Sequence, residues 1–296
     1  MIYILSFSNL ATAYETDQYT NRHQPIRDCT EVLNAKVNDT LREIANHWRG
    51  GENEWRFVMA VYWKIGGLHW VDKLERWAMT SPDVDRLSTP RKKSIYHDLP
   101  ICATRVAHFF GVGDTIKVNN QLIGTDKIGH FLSQGRKFYK RYRRSGSEER
   151  AARRSSATER GIFGQKTTGS YSNADLVANY EGYRFYRSLF HDDIIPGKPA
   201  ILRWENGKPI LQREFDWADH VNEFWDEALN PNHFDKLLYR HMKKKLLGFC
   251  EQYRKNPQLY QIENEEALKR RYAHLRLRDT SELRLDRLCA SIDSGP

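Results

Sequence analysis

Several common signatures are missing from this chain of 296 residues. No apolar run reaches the roughly 18 residues that a membrane-spanning helix needs, so the sequence predicts no integral membrane segment. The four cysteines are widely spaced and form no Cys-x-x-Cys pair, which disfavours a zinc knuckle. A His-Glu-x-x-His motif, a phosphate-binding glycine loop and a Rossmann glycine pattern are also lacking, so the sequence predicts neither a bound metal nor a cofactor.

The composition is that of a folded and basic protein. Hydrophobic residues make up 40% of the chain and aromatic residues 12%, enough to build a large core. The net charge of +9 favours a polyanionic partner, which would be nucleic acid, an anionic membrane or the acidic bacterial wall. No nucleic-acid-binding motif occurs, so we expect no nucleic acid partner. Without a Pro/Gly-rich linker, residues 27–296 are predicted to form one domain, whose oligomeric state stays open.

The N-terminal residues 1–26 allow two interpretations. Residues 1–13 are apolar and end in a small-x-small pattern, Ala11-Thr12-Ala13, which is typical of a signal-peptide cleavage site. A buried N-terminal strand fits the same residues equally well. The polar residues that follow, up to residue 26, predict a flexible arm.

The cysteine count is even, which fits two disulfides in an oxidising compartment or four reduced core cysteines. Cys250 and Cys289 both lie in the C-terminal part, and we predict that they form one bridge.

Hydrophobic periodicity predicts a mainly α fold with small β-hairpins. The predicted helices cover 28–48, 52–78, 99–110, 126–142, 148–159, 217–228, 233–256 and 260–290. Asn206-Gly207 between two short strands predicts a hairpin, and Asn119-Asn120 predicts a second turn. Trp55, Trp63, Trp70 and Trp77 recur near one helix face and are predicted to lie in the core.

The stretch from residue 148 to 187 carries the clearest chemistry. It reads as a helix that ends at Glu159, a Gly/Thr-rich hairpin, and a second helix capped by Ser172. A carboxyl group at a helix C-terminus meets the negative end of the helix dipole, and the neighbouring Ile162 and Phe163 would remove water from it. Both effects raise a carboxyl pKa. The sequence therefore predicts that Glu159 is a general acid of the kind that glycoside hydrolysis requires.

The string E-x-G-x-x-G-x-x-x-T-G-x-x-S-x-x-D-x-x-A-N-x-x-G-x-x-F, from Glu159 to Phe185, resembles bacterial periplasmic lysozymes. The helix–Glu–hairpin arrangement is similar to the lysozyme superfamily, which includes goose-type lysozymes and lytic transglycosylases. DKIGHF at 126–131 and WDEALNPNHF at 225–234 are similar to the deacetylation-specific lysozymes of predatory bacteria. The resemblance implies a lysozyme-like α+β fold and a periplasmic or secreted enzyme. It also implies that Glu159 acts on peptidoglycan glycan strands, with a preference for deacetylated wall.

The superfamily often has a second polar group on the hairpin. This resemblance makes Tyr171 the predicted second catalytic group, and Ser170 and Thr168 predicted substrate-binding residues. Because the hairpin lacks a second acidic residue, a retaining mechanism with two carboxylates is not expected. Whether water or the muramoyl O6 attacks, which separates a hydrolase from a lytic transglycosylase, stays open.

Other polar residues are predicted to support this site. Asp226 and Asn230 either bind sugar or belong to a helix stop. Asp126 and His130 share a helix face, where they form either a hydrogen bond beside the site or two ligands of a metal-dependent hydrolase. For a metal, His108 is a third ligand only in principle.

The helix after the hairpin supplies further supporting residues. Asp175 and Asn179 are predicted to hold Glu159 and the hairpin in place, and Gly182 to permit close helix packing. A non-catalytic protein that binds the cell envelope is the alternative from a different functional class.

Overall fold

The computed structural model describes residues 15–67, 71–99, 111–161, 165 and 169–293. Within these ranges the protein is mainly helical with small two-stranded sheets, which confirms the fold class; the lysozyme-like arrangement stays a prediction. The helices are α1 Thr30–Asn46, α2 Glu54–Ile65, α3 Lys73–Thr80, α4 Asp126–Gly129, α5 Gly135–Ser145, α6 Glu148–Arg160, α7 Asn173–Ser188, α8 Lys236–Leu247, α9 Cys250–Lys255, α10 Glu265–Tyr272 and α11 Leu285–Asp293. None of the described helices has the length and apolar character needed to cross a membrane.

The described strands are β1 Glu15–Thr16, β2 Val112–Gly113, β3 Thr115–Val118, β4 Gln121–Gly124, β5 Ser170–Tyr171, β6 Leu202–Glu205, β7 Lys208–Leu211 and β8 His233–Phe234. Strands β3 and β4 form a hairpin that turns at Asn119-Asn120, and β6 and β7 form one at Asn206-Gly207. All four turn residues have positive φ, as two-residue hairpin loops require. Both turn predictions are confirmed.

The strand that follows Glu159 pairs differently from the prediction. Strand β5 lies antiparallel to β8, so Tyr171 faces His233 in the register. Residues 162–164 and 166–168, where the first arm of the predicted hairpin falls, lie outside the described residues. The second part of that hairpin is therefore held by a segment some sixty residues further along the chain.

The helix predicted over 52–78 is interrupted. It ends at Ile65, because Gly66 and Gly67 follow and Gly67 has a φ of +46°, and the chain resumes as a helix at Lys73. Trp63 lies on the face of α2 opposite the buried Phe57 and Val61 and is 55% exposed, so its predicted place in the core is wrong. Trp55 and Trp77 are half-buried, and Trp70 lies outside the described residues.

Three other predicted helices differ from the structure, and a fourth cannot be compared. The segment 260–290 is not one helix: α10 and α11 are separated by short 3-10 turns and by residues 276–280, where Arg276 has a φ of +60°. Residues 217–228 contain only two short 3-10 turns, because the side chains of Asp216 and Asn222 each bond the backbone two residues ahead. The segment 233–256 starts as strand β8 before α8 and α9. The helix predicted over 99–110 falls mostly on residues 100–110, outside the described residues.

The arm before α1, predicted to be flexible, is packed into the protein over residues 15–22, whereas His23, Gln24 and Pro25 are exposed. Tyr19 is 4% exposed, and its hydroxyl donates to the Glu227 carbonyl at 2.9 Å. Arg22 forms a buried ion pair with Asp226 at 2.6 Å. Whether residues 1–13 are a signal peptide stays a prediction.

Helices α5 and α7 cross at close range, which positions the site. A Cβ built on Gly182 would lie 1.8 Å from the Phe131 carbonyl oxygen, and one on Gly135 would lie 2.6 Å from the Gly182 Cα. Only glycine fits at these contacts, as predicted for Gly182. The surrounding core is rich in aromatic rings, among them Phe131, Phe185 and Trp217.

A disulfide joins Cys250 in α9 to Cys289 in α11, which confirms the predicted bridge. Cys29 is a buried free thiol whose Sγ donates to the Lys117 carbonyl. A second disulfide through Cys29 is therefore not formed. The bridge ties the C-terminal helices into a second cluster of buried residues that includes Tyr19 and Leu288.

Candidate functional site

A cluster of buried polar side chains lies where α4, α6 and α7 meet the segment before β8. We call it the polar core, and it consists of Asp126, Lys127, His130, Glu159, Asp175, Asn179 and Glu227. Charged groups are rarely buried unless they are paired, so a cluster of this kind is a candidate site.

Helix α6 places Glu159 in its last turn. The Ser147 side chain caps the helix by accepting from the Arg150 N–H, and the helix ends at Arg160 before Gly161. Its buried face carries small residues, including Ala151 and Ser155, and then Glu159, which is 3% exposed. The predicted position of this carboxyl group at a helix end is confirmed.

Helix α7 supplies Asp175 and Asn179 from one face, four residues apart. Ser172 caps the helix by accepting from the Asp175 N–H at 3.1 Å, as predicted. Asn179 is 1% exposed, and its amide nitrogen donates to Ser155 Oγ at 3.3 Å. The same nitrogen lies 3.5 Å from Glu159 Oε1, so Asn179 holds the end of α6 against α7.

His130 stands at the start of a π-helical stretch, His130–Gln134, that joins α4 to α5. Such wide turns inside helices occur often at functional sites. Nδ1 of His130 lies 3.0 Å from Asn179 Oδ1, and Nε2 lies 3.3 Å from Asp175 Oδ2. Since both ring nitrogens face acceptors, this geometry favours the imidazolium form. The Asp126–His130 hydrogen bond considered from sequence is not formed; His130 forms an ion pair with Asp175 instead.

Lys127 is the cation at the centre of the polar core and is 1% exposed. Its Nζ lies 2.8 Å from Asp126 Oδ2, 2.7 Å from Asp175 Oδ1 and 2.7 Å from Glu227 Oε1. Burial lowers the pKa of this ammonium group, but the three carboxyl groups outweigh burial and raise it well above its usual value. Lys127 is therefore a permanent positive charge.

The environments of the carboxyl groups push their pKa values apart. Burial, and then the Asp175 charge, raise the pKa of Glu159 to about 7. Burial raises that of Glu227 to about 7 as well, against the opposing effect of Lys127. Burial alone would also raise the pKa of Asp175, but His130 and Lys127 together hold it below its usual value. In active sites, carboxyl groups with separated pKa values act in different roles, one as a protonated acid and another as an ionised base.

These shifts reduce the negative charge of the polar core below about pH 7. Burial lowers the pKa of His130, but the charges of Asp175 and Glu159 raise it more. With Glu159 and Glu227 protonated, the carboxyl groups of Asp126 and Asp175 face the cations Lys127 and His130. Protonation of the two glutamates thus removes two negative charges from the cluster, which lowers the free energy cost of burying it.

Donor atoms of Asp126, His130 and Asp175 lie within 4.8 Å of one another, a spacing that a metal ion could bridge. Most of these donor atoms already face a partner, however, whereas Asp126 Oδ1 is buried without a hydrogen bond to any described residue. The Lys127 ammonium lies against both carboxylates, and the two ring nitrogens of His130 face Asp175 and Asn179. A cation would have to displace Lys127, so the residues present fit a metal poorly.

The contacts of Tyr171 contradict the catalytic role predicted for its hydroxyl. The side chain is fully buried, and its hydroxyl donates to the Arg276 carbonyl at 3.2 Å. Ser156 Oγ lies 2.8 Å away on the other side. A phenol has one proton to donate, and Tyr171 donates it to the Arg276 carbonyl. The hydroxyl therefore joins β5 to α6 and to the C-terminal region. Ser170 is buried in β5, and Thr168 lies outside the described residues.

The predicted sugar contacts of Asp226 are also contradicted. Asp226 is 0% exposed, and its oxygens accept from Arg22 and from the Ala228 N–H, so it has a structural role. Asn230 is 9% exposed, and its amide donates to the Phe224 carbonyl, although it still lines a pocket of 300 Å³.

Sequence reasoning missed Lys127 and Glu227 as members of the site. Lys127 had a usable signal, because it lies four residues before the buried Phe131 and hence on the apolar face of its helix. Glu227 had none, since it follows the 3-10 turn Glu223–Trp225 and lies outside any regular helix or strand that would give a periodic pattern. Glu15 was missed too: burial, and then the Glu227 charge, raise its pKa to about 8.

Comparisons with known proteins identify no relative of this chain. No family model matches the sequence, and no curated protein or solved structure matches the chain.

Proposed function

We propose that this protein is a glycoside hydrolase of bacterial wall peptidoglycan in which Glu159 is the general acid. The observation that carries the proposal is a buried carboxyl group at a helix end, with a pKa of about 7, next to an ionised carboxylate. A group with this pKa holds its proton near neutral pH and can deliver it to a leaving oxygen. The substrate class rests on the resemblance of the Glu159–Phe185 string to periplasmic lysozymes.

In this mechanism Glu159 protonates the glycosidic oxygen as the bond to the sugar breaks. Water or the muramoyl O6 then adds to the anomeric carbon, and the Glu159 carboxylate takes up the proton that this nucleophile loses. Asn179 lies against Glu159 Oε1 at 3.5 Å and orients the carboxyl group. The Asp175 carboxylate stays ionised, because His130 and Lys127 hold its pKa low. Its negative charge, lying near Glu159, would stabilise an oxocarbenium-like transition state. Direct attack by Asp175 is not part of the proposal, because Lys127 and His130 each lie against one of its two carboxylate oxygens.

The proposal includes a periplasmic or secreted location, which the Cys250–Cys289 disulfide supports. The net charge of +9 would favour association with an acidic wall polymer. A preference for deacetylated glycan is carried only by the sequence resemblance.

Digestion of purified sacculi tests this function. We expect soluble muropeptides and new reducing ends from a hydrolase, or 1,6-anhydro ends from a lytic transglycosylase, both identified by mass spectrometry. Acetylated and chemically deacetylated sacculi in parallel test the acetylation preference. If neither substrate releases muropeptides while the protein still sediments with sacculi, the chain is a non-catalytic wall-binding protein and the proposal is wrong.

A further inference from the structure

A second candidate site lies on the opposite face of helix α6 from Glu159. It is a surface pocket of 660 Å³ lined by seven arginines. Helix α5 supplies Arg141 and Arg144, and the turn after α10 supplies Arg276. Helix α6 supplies the rest, which lie together with Ala157 on one face of the helix: Arg150, Arg153, Arg154 and Arg160.

No negative charge in the described part of the chain compensates these arginines. The described residues that line the pocket include no aspartate or glutamate, and no ion pair joins any of the seven to a described acidic residue. Two of them make only neutral contacts, Arg141 to Thr158 Oγ1 and Arg160 to Ser156 Oγ. Like charges gathered in one concavity repel one another, which a stable surface normally avoids.

Two of the residues that line the pocket are held by the rest of the fold. Arg276 has a φ of +60°, and its carbonyl is held by the buried Tyr171 hydroxyl. Arg141 is half-buried, and burial, followed by the charge of Arg154, lowers the pKa of its guanidinium. A guanidinium group that is half-buried beside a second guanidinium group is stabilised by a nearby anion, which indicates that an anionic ligand completes the site.

We infer that this pocket binds a ligand with two or more linked phosphate groups. All seven cationic side chains are arginine, whose planar fork binds phosphate oxygens in pairs. The volume suits a compact group rather than a long polymer, since polymers need an extended groove. Linked phosphates bring several negative charges into such a volume, which isolated carboxylates do not. The diphosphate could be free in solution or be the headgroup of a lipid.

This site is independent of the proposed glycosidase activity. Arg153, Arg154 and Ala157 lie on the pocket side of α6, whereas Ser155 and Glu159 lie on the buried side. A helix about 10 Å wide separates the two faces. Loss of phosphate binding therefore leaves the acid in place, and a failed wall-digestion assay leaves this inference standing.

Isothermal titration with pyrophosphate and tripolyphosphate, at physiological salt, tests the inference. We expect micromolar dissociation constants, at least about tenfold weaker binding of citrate at matched charge, and at least about tenfold weakening in the double variant Arg153→Gln/Arg154→Gln. The control Arg240→Gln/Lys244→Gln removes the same charge from the exposed face of α8 and should bind as the wild type does.

Vesicles distinguish the two sources of the ligand. Phosphatidylcholine vesicles that contain a polyprenyl diphosphate should retain the protein if the headgroup is the ligand, whereas binding of soluble pyrophosphate alone identifies a free ligand. The inference is overturned if the dissociation constants of pyrophosphate and tripolyphosphate are millimolar or weaker, or if citrate binds as tightly as they do. It is also overturned if both double variants weaken binding to the same extent.

Discussion

His130 and Asp175 form an ion pair, with 3.3 Å between Nε2 and Oδ2, one helical turn from the amide that contacts Glu159. The pair keeps Asp175 ionised although burial disfavours its charge. Because Asp175 is ionised, its charge in turn raises the pKa of Glu159. One set of contacts thus keeps Asp175 ionised and Glu159 protonated. The protonation state of each group can be tested separately.

The pH dependence of wall digestion should follow the protonation of Glu159. Its pKa is raised to about 7, so the carboxyl group is protonated below pH 7 and loses its proton as the pH rises through that value. We expect kcat/KM to fall tenfold per pH unit well above pH 7. On the acid side, activity should persist below pH 5, because the pKa of Asp175 lies below its usual value. Activity that still increases between pH 7 and pH 9 would contradict this assignment.

Lys127→Met should destabilise the protein strongly. The change removes the one ammonium group that contacts Asp126, Asp175 and Glu227, and leaves buried carboxylates without a partner. We expect a loss of about 3–5 kcal/mol in the free energy of unfolding, measured by denaturant titration at pH 7. Lys140→Met, at an exposed position of α5, is the matched control and should change stability by less than about 0.5 kcal/mol. Equal stability of the two variants would show that the polar core does not depend on Lys127.

Chelation separates the glycosidase from a metal-dependent hydrolase. Lys127 already lies against the carboxylates that a metal would need, so prolonged dialysis against EDTA should leave wall digestion unchanged. Loss of activity that zinc or another divalent ion restores would instead make Asp126, His130 and Asp175 a ligand set.

Tyr171→Phe should act on stability and leave turnover nearly unchanged. The hydroxyl bonds Ser156 and the Arg276 carbonyl, and removing it leaves one buried acceptor unpaired. We expect a loss of about 1 kcal/mol in stability and turnover within about twofold of wild type. The double variant with Ser156→Ala should lose less than the sum of the single losses, since both changes break one contact. A tenfold loss of turnover at unchanged stability would restore the catalytic role.

Local sequence patterns predicted those parts of the site that local structure determines. A helix end positions Glu159, a serine cap and a four-residue interval position Asp175 and Asn179, and a glycine contact fixes the crossing at Gly182. These features depend on residues within one or two turns of each other.

The partners of buried charges could not be predicted in this way. Lys127 meets Glu227 100 residues along the chain, and Arg22 meets Asp226 204 residues along it. Sequence patterns therefore leave Asp226 and Asn230 as either sugar contacts or a helix stop, whereas the fold buries both. The same limit explains Tyr171, whose hydroxyl partner at Arg276 is 105 residues away.

Wall digestion by Glu159→Gln tests the central claim most directly. The amide keeps the shape of the side chain but has no acidic proton, so turnover should fall at least about a hundredfold, with a thermal midpoint at pH 6 close to that of the wild type. The control Glu149→Gln changes an exposed residue of the same helix and should digest sacculi at the normal rate. A Glu159→Gln protein that is folded and digests sacculi as fast as this control would contradict the assignment of Glu159 as the acid.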